Sequence, residues 1–246
     1  MLQSISHPTL TIRIHAGFNA AACLAGLLAL SDNRFFSAQE LLEARFPEST
    51  AKLLFEPVSV NHIAGHQVRF ELPHEHVHRT LTDIASIYDR SALSEAARAT
   101  VDVIWTTIAQ AEAHVHNADI AQVHFHEVGR MSNILAIGLI AELFIAMDPA
   151  RIVASPLPIG DGSIRCAHGT VPNPAPATLA MLDGVAVCGW RGQGEPVTPT
   201  GLAILKGLQA QFGAWPTMVV KKHATAYAAG KYFDGVPNGT IFALGE

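Results

Sequence analysis

Residues His124 to Gly129, HFHEVG, place two imidazoles and a carboxylate within four residues. On an extended backbone His124 and His126 project from one face, about 7 Å apart at Cα, and two imidazoles at that spacing can take adjacent positions on one metal ion. Glu127 points the other way and joins them only where the chain turns, which Gly129 permits. One packed and one solvated histidine would satisfy the same pattern equally well. A second alternating set, His74, His76 and His78, lies upstream with Glu75 between its first two members. Three imidazoles on one face of an extended segment approach chelation of a soft divalent ion, while an exposed His-rich loop gathers metal adventitiously.

Two further segments carry candidate groups. Cys166 and His168 are two apart in the glycine-rich stretch GDGSIRCAHGTVPNPAP, with Asp161 and Arg165 beside them. They can complete a metal site or contact an anionic ligand, but neither a second CxxC nor an HxxxH closes a structural zinc tetrahedron. In GEPVTPTG, the hydroxyls of Thr198 and Thr200, with the amides that begin a helix at Gly201, form a candidate anion cradle. Local spacing favours the simpler reading, in which these threonines cap the helix. A Walker loop, a Rossmann fingerprint, a serine elbow and an HExxH helix are all missing. A metal-dependent hydrolase built on the His pairs would have no visible general base beyond Glu127.

The whole chain limits these readings. Its 246 residues are 49% hydrophobic and 15% charged, enough to bury a substantial core. A formal net charge of -5, without a block of Lys or Arg, leaves no footprint for nucleic acid or an anionic membrane. Three cysteines in no CxxC pair favour a reducing, cytoplasmic setting. The apolar run from Phe18 to Leu30 is too short for a membrane span and reads as a buried helix. Thirteen histidines among so few charges are unusual, and histidine is the side chain best suited to bind transition metals and move protons near pH 7.

Alternating elements must position these groups. TLTIRIHA (Thr9 to Ala16) has the period-two pattern of a strand, followed by the alanine- and leucine-rich helix. Ser37 caps a short helix to Phe46, and Phe55 to Leu72 reads as a hairpin around Ala64-Gly65. A long helix capped by Ser94 ends on His114 and His116. QVHFHEV reads as a strand, and Met131 to Met147 as a helix. Arg151 to Ile159 reads as one buried strand, and the glycine-rich stretch after it as an irregular, functional connection. VTPTGLAILKGLQAQFG predicts a helix running to Gly213, before two closing strands. Strands alternating with helices predict an α/β or mixed α+β architecture in one compact unit.

In this order and spacing, VHFHEVG, VASPLPIGDGSIRCAHGTVPNPAPATLAML and GEPVTPTGLAIL resemble the N-terminal part of the LarC family of nickel-insertion proteins. HRTLTDI, AEAHVHNADIAQVHFHEVG and VPNGTIFALGE extend the resemblance over most of the chain from Pro73 onward. The resemblance implies a cyclometallase of lyase type. It would insert nickel into a pyridinium bisthiocarboxylic acid mononucleotide, forming a carbon–metal bond with the help of CTP and manganese. It assigns nickel handling to the segment of His74, His76 and His78. It also implies a nucleotide-like small substrate, homo-oligomer formation, and a C-terminal CTP-binding domain that a separate partner chain would have to supply, with residues 1–246 as the N-terminal-like domain. Soft thiocarboxylates and imidazoles suit nickel. The chain departs from the family pattern where acidic residues are usual: Ala20-Ala21-Ala22 stands for Gly-Asp-Met, Ser132 and Ala136 stand where two Asp residues are usual, and Ala226 to Gly230 replaces GYGAG. Lost hard ligands for a nucleotide-bound cation give the alternative expectation: a catalytically inactive paralogue acting as a binding or regulatory subunit.

Overall fold

The computed structural model describes residues 7–31, 37–75, 78–166 and 169–246. Its strands are β1 (Thr9–Ala16), β2 (Lys52–Val60), β3 (Ile63–Glu71), β4 (Arg151–Ala154), β5 (Leu157–Gly160), β6 (Ser163–Cys166), β7 (Gly169–Pro172), β8 (Val187–Trp190), β9 (Gln211–Phe212), β10 (Val220–Ala228) and β11 (Gly239–Gly245). Its helices are α1 (Ala20–Leu30), α2 (Ala38–Arg45), α3 (Leu81–Asp89), α4 (Glu95–His116), α5 (Met131–Met147), α6 (Pro176–Ala180) and α7 (Pro199–Gly207). The arrangement is α/β. A seven-stranded mixed sheet runs in the order β2-β3-β10-β11-β1-β4-β9, and the pairs β5-β8 and β6-β7 stand apart from it.

Period two in β1 sends Leu10, Ile12 and Ile14 to one face, all at most 5% exposed. Ile12 pairs with Phe242 of β11, and that ring meets α1 so closely that a Cβ at Gly26 would fall 2.2 Å from it. On the other face Arg13 reaches over the Trp215 ring, 5.7 Å from its centroid, and donates to the Gly213 carbonyl at 3.0 Å. Helix α1 crosses β3, β10 and β11 and is itself backed by α5. It is therefore buried nearly all round, as is α5 from Ile134 to Leu143, which explains why these two helices lack a polar stripe. Asn19 starts α1 by accepting from the Ala22 amide at 2.8 Å.

Several boundaries differ from the sequence expectations. The β2-β3 hairpin turns at Asn61 and His62, whose φ values of 51° and 63° give the left-handed pair of a two-residue turn. Gly65 instead lies inside β3, opposite Val58, where a Cβ would meet the Thr225 carbonyl at 2.6 Å. The expected strand from Arg151 to Ile159 is broken at Ser155-Pro156: β4 stays in the main sheet, while β5 pairs with β8. The glycine-rich stretch expected to be irregular contains the antiparallel pair β6-β7. Helix α7 stops at Gly207, not Gly213, because Gln209 turns left-handed (φ 57°) and the Ala210 amide folds back to Leu205. Gln211 and Phe212 are thereby free to pair with β4.

Candidate functional site

HFHEVG is not a strand. A 3-10 turn at Ile120–Gln122 leads into it, and within it only Phe125 makes a β-bridge, with Arg79. Alternation survives over a short stretch: Val123 and Phe125 are buried while His124 is exposed. Phe125 packs edge-on against Trp105 of α4, with ring centroids 5.6 Å apart. The chain then turns, closed by the Gly129 amide donating to the His126 carbonyl at 3.1 Å. Gly129 is obligatory because a Cβ there would lie 2.8 Å from both the Cβ and the carbonyl of Phe125.

The upstream His segment is stapled to this turn. Arg79 exchanges two backbone hydrogen bonds with Phe125, and its guanidinium donates to the Gly129 carbonyl and to Glu75, each at 2.7 Å. The other oxygen of Glu75 accepts from the Met131 amide at 2.7 Å, capping α5, whose N-cap residue Arg130 offers no side-chain bond of its own. Burial pushes the Glu75 carboxyl up, but bonds from Arg79 and Met131, aided by the charges of Arg79 and Arg130, outweigh it and leave it below the usual range. Here the imidazoles of the two sets meet. His78 stands edge-on to His126 with ring centroids 4.6 Å apart.

Two adjoining cavities share the HFHEVG loop as a wall. The larger, about 630 Å³, is lined by Asn19 at the start of α1, by Arg130, Ser132 and Asn133 at the start of α5, and by Thr198, Pro199 and Thr200 at the start of α7. Arg165 and Cys166 of β6 close one side, and Glu127, Glu195 and Lys231 stand in its wall. Three helix N-termini and three cationic side chains make this an anion-attracting space. The smaller cavity, about 320 Å³, holds His116, His124, His126 and Glu112, with Cys166, Glu127 and Val128 common to both. Nitrogen and sulfur donors thus border a space for an anion.

The α7 end of the larger cavity is fixed by its neighbour. Phe18 donates its amide to the Pro196 carbonyl at 2.9 Å and accepts from the Thr198 amide at 3.0 Å. Thr198 does cap α7, its hydroxyl oxygen accepting from Gly201 at 3.2 Å. Thr200 is buried and lines the cavity, whereas Gly201 lies behind the wall, where a Cβ would be 2.7 Å from the Phe18 carbonyl.

The described members of the expected metal row line more than one pocket. His74 lines a different pocket, of about 290 Å³, with Phe46, Leu72 and Met131. His76 and His168 lie outside the described residues. Among the described residues, no three His, Cys, Asp or Glu side chains form a ready metal site.

Local spacing does not single out Glu195 and Lys231. Glu195 is half-buried, and its Oε1 is fully covered without a hydrogen-bond partner among the described residues. Burial pushes its carboxyl up to about 7; Lys231 pulls it down and Glu127 adds to the rise. Lys231 is lowered by burial against the pull of Glu195 and Glu127, and it also stands over the Phe233 ring at 5.8 Å. The available signal for Glu195 was its place in GEPVTPTG, directly ahead of the capping threonines.

A family model described as nickel insertion protein matches residues 10–244. The chain belongs to this nickel-insertion family. It is 39% identical over 209 residues to a putative nickel insertion protein of Geotalea daltonii, covering 85% of this chain and 53% of that one. It is also 38% identical over 184 residues to the pyridinium-3,5-bisthiocarboxylic acid mononucleotide nickel insertion protein of Desulfitobacterium hafniense (75% and 45%). A protein of the same description from Geobacillus kaustophilus is 40% identical over 172 residues (70% and 41%). The chain spans about half the length of these nickel-insertion relatives. No solved structure matches. Among the described residues, no helix is long and apolar enough to cross a membrane.

Proposed function

We propose that this protein takes part in nickel insertion into a pyridinium bisthiocarboxylic acid mononucleotide, binding the nucleotide in the larger cavity and receiving nickel at the imidazoles beside it. The observation that supports this reading is the adjacency of the two cavities, which bring the HFHEVG loop, Arg165-Cys166 and the Thr198-Pro199-Thr200 helix start together. A mononucleotide brings a phosphate and two thiocarboxylates. The helix starts at Asn19, Arg130 and Thr198, together with Arg165 and Lys231, supply positive potential for those anions. His78, His124 and His126 offer neutral nitrogen donors, which suit nickel better than the hard oxygen donors of the cavity rim. CTP and manganese would enter with a C-terminal partner domain in the cytoplasm, within a homo-oligomer.

Titration calorimetry with nickel tests the metal half. The wild-type chain is expected to bind nickel in the micromolar range, and the His124→Ala plus His126→Ala double variant at least tenfold more weakly. Affinity no tighter than millimolar, unchanged in the variant, would sink the claim.

A second reading is favoured by one feature of the same cavity: the helix starts of α1 and α5 present Asn19, Ser132 and Asn133 to it and no carboxylate. In that reading the chain holds nucleotide and nickel as a binding subunit without joining them. It predicts no insertion by the wild type with CTP, manganese and a cognate C-terminal half supplied, and recovery on Ser132→Asp.

A further inference from the structure

The larger cavity contains a contradiction that the proposed function does not resolve. Its walls attract anions through three helix starts and through Arg130, Arg165 and Lys231, yet a carboxylate, Glu195, stands among them. A fixed negative charge there repels the ligand the rest of the wall attracts. Its Oε1 is covered and has no hydrogen-bond partner among the described residues, and Lys231 is a cation whose charge acts on it. The titratable and charged groups lining the cavity with it are Lys231, at the end of the β10–β11 connection's first turn, Glu127 from the HFHEVG loop, Arg130 at the start of α5, and Arg165 and Cys166 from β6.

Resting on the nucleotide-binding reading above, we propose that Glu195 is the catalytic base of nickel insertion. Forming a carbon–nickel bond on the pyridinium ring replaces a hydrogen. The electron pair of the C–H bond becomes the C–Ni bond, nickel keeps its oxidation state, and the hydrogen leaves as a proton. The carboxylate of Glu195 takes that proton and later returns it to solvent, so no oxidant or reductant is needed. A base is most effective when its pKa lies near the working pH, and burial has pushed the Glu195 carboxyl to about 7. Lys231 and Glu127 act on it in opposite directions. The helix starts that present Asn19, Ser132 and Asn133 bring no carboxylate, so Glu195 and Glu127 are the carboxylates of the described lining. Glu127 sits on the exposed loop.

The test uses the full chain, with CTP, manganese and a cognate C-terminal half supplied, and the wild type compared with Glu195→Gln and Glu195→Asp. Binding of the pyridinium mononucleotide is measured first, by calorimetry without nickel. Single-turnover insertion is then followed by mass, as nickel replaces one proton, between about pH 5.5 and 8.5. The expected result is a wild-type rate that rises through a midpoint near pH 7 and levels off above about pH 8. Glu195→Gln should lower the plateau by roughly 10²- to 10⁴-fold and lose the pH step while binding the mononucleotide within about threefold of the wild type. Glu195→Asp should recover part of the rate. Insertion by Glu195→Gln within about threefold of the wild type, with the same pH step, overturns the assignment. Binding without insertion by the wild type also overturns it but leaves the nucleotide site standing. Absence of mononucleotide binding overturns the underlying reading itself.

Discussion

Glu195 makes a prediction that needs no substrate. An ionised carboxylate that is partly desolvated in a cavity wall costs folding free energy, and the group escapes that cost by binding a proton. Its folded pKa, about 7, lies above the ordinary value of 4.5. The favourable proton binding is therefore fully present below about pH 4.5 and lost as pH rises through about 7. Glutamine has no charge to desolvate. Thermal melts of Glu195→Gln and the wild type should accordingly show the variant more stable at pH 8, with the gap closing between pH 7 and 5. A gap independent of pH would mean that the carboxylate is well solvated. The depressed Glu75 works the other way. The stability it contributes is present above the ordinary carboxylate range and lost as pH falls through its lowered value. Glu75→Gln should cost roughly 1–3 kcal/mol at neutral pH, measured by urea unfolding, because the Met131 amide and Arg79 both lose a charged acceptor.

At the scale of elements, Gly26 sets two effects against each other. Replacing it by alanine gains about 1 kcal/mol of helix propensity, but the new methyl group would sit 2.2 Å from the fully buried Phe242 ring. Overpacking of that kind costs typically 1–3 kcal/mol, and α1 cannot retreat because α5 backs it. Gly26→Ala should therefore lower the urea midpoint at unchanged slope. The elements themselves were largely legible: β1 and α5 fall on their expected residues, as do the Ser37 and Ser94 caps, because each rests on a local pattern of period or cap. The misplacements share a cause. Asn61-His62 lacks the glycine that usually marks a two-residue turn, α7 ends at a left-handed Gln209 and not at a glycine, and β6-β7 pair across a stretch whose turn formers hide the register. The candidate site was half legible. Spacing pointed to His124, His126, Thr198 and Arg165, but it could not show that His78 would meet His126 while His74 would line another pocket. Glu195 had only its place ahead of the capping threonines to mark it and Lys231 no motif, because the chemistry of both comes from burial and from each other's charge.

At the scale of the molecule, the anion site exists only when distant parts of the chain are brought together, since Asn19, Arg130, Arg165, Thr198 and Lys231 are far apart in sequence. Phe18 ties the α1 start to the α7 start, and Glu75 ties the α5 start to the His segment. A ligand bridging these termini stabilises the folded chain as a whole. At a concentration one hundred times its dissociation constant, the mononucleotide should add about 2.7 kcal/mol, which for a chain of this size raises the melting temperature by roughly 5–10 °C. Because the attraction comes from helix starts and cationic side chains at a solvent-open cavity, the shift should shrink on raising salt from about 0.05 to 0.5 M, as the screening length falls from about 14 to 4 Å. Arg165→Ala should give a smaller shift at the same ligand concentration, and hydrogen exchange should slow together in the first turns of α1, α5 and α7. Protection confined to one of the three would place the nucleotide outside the shared cavity.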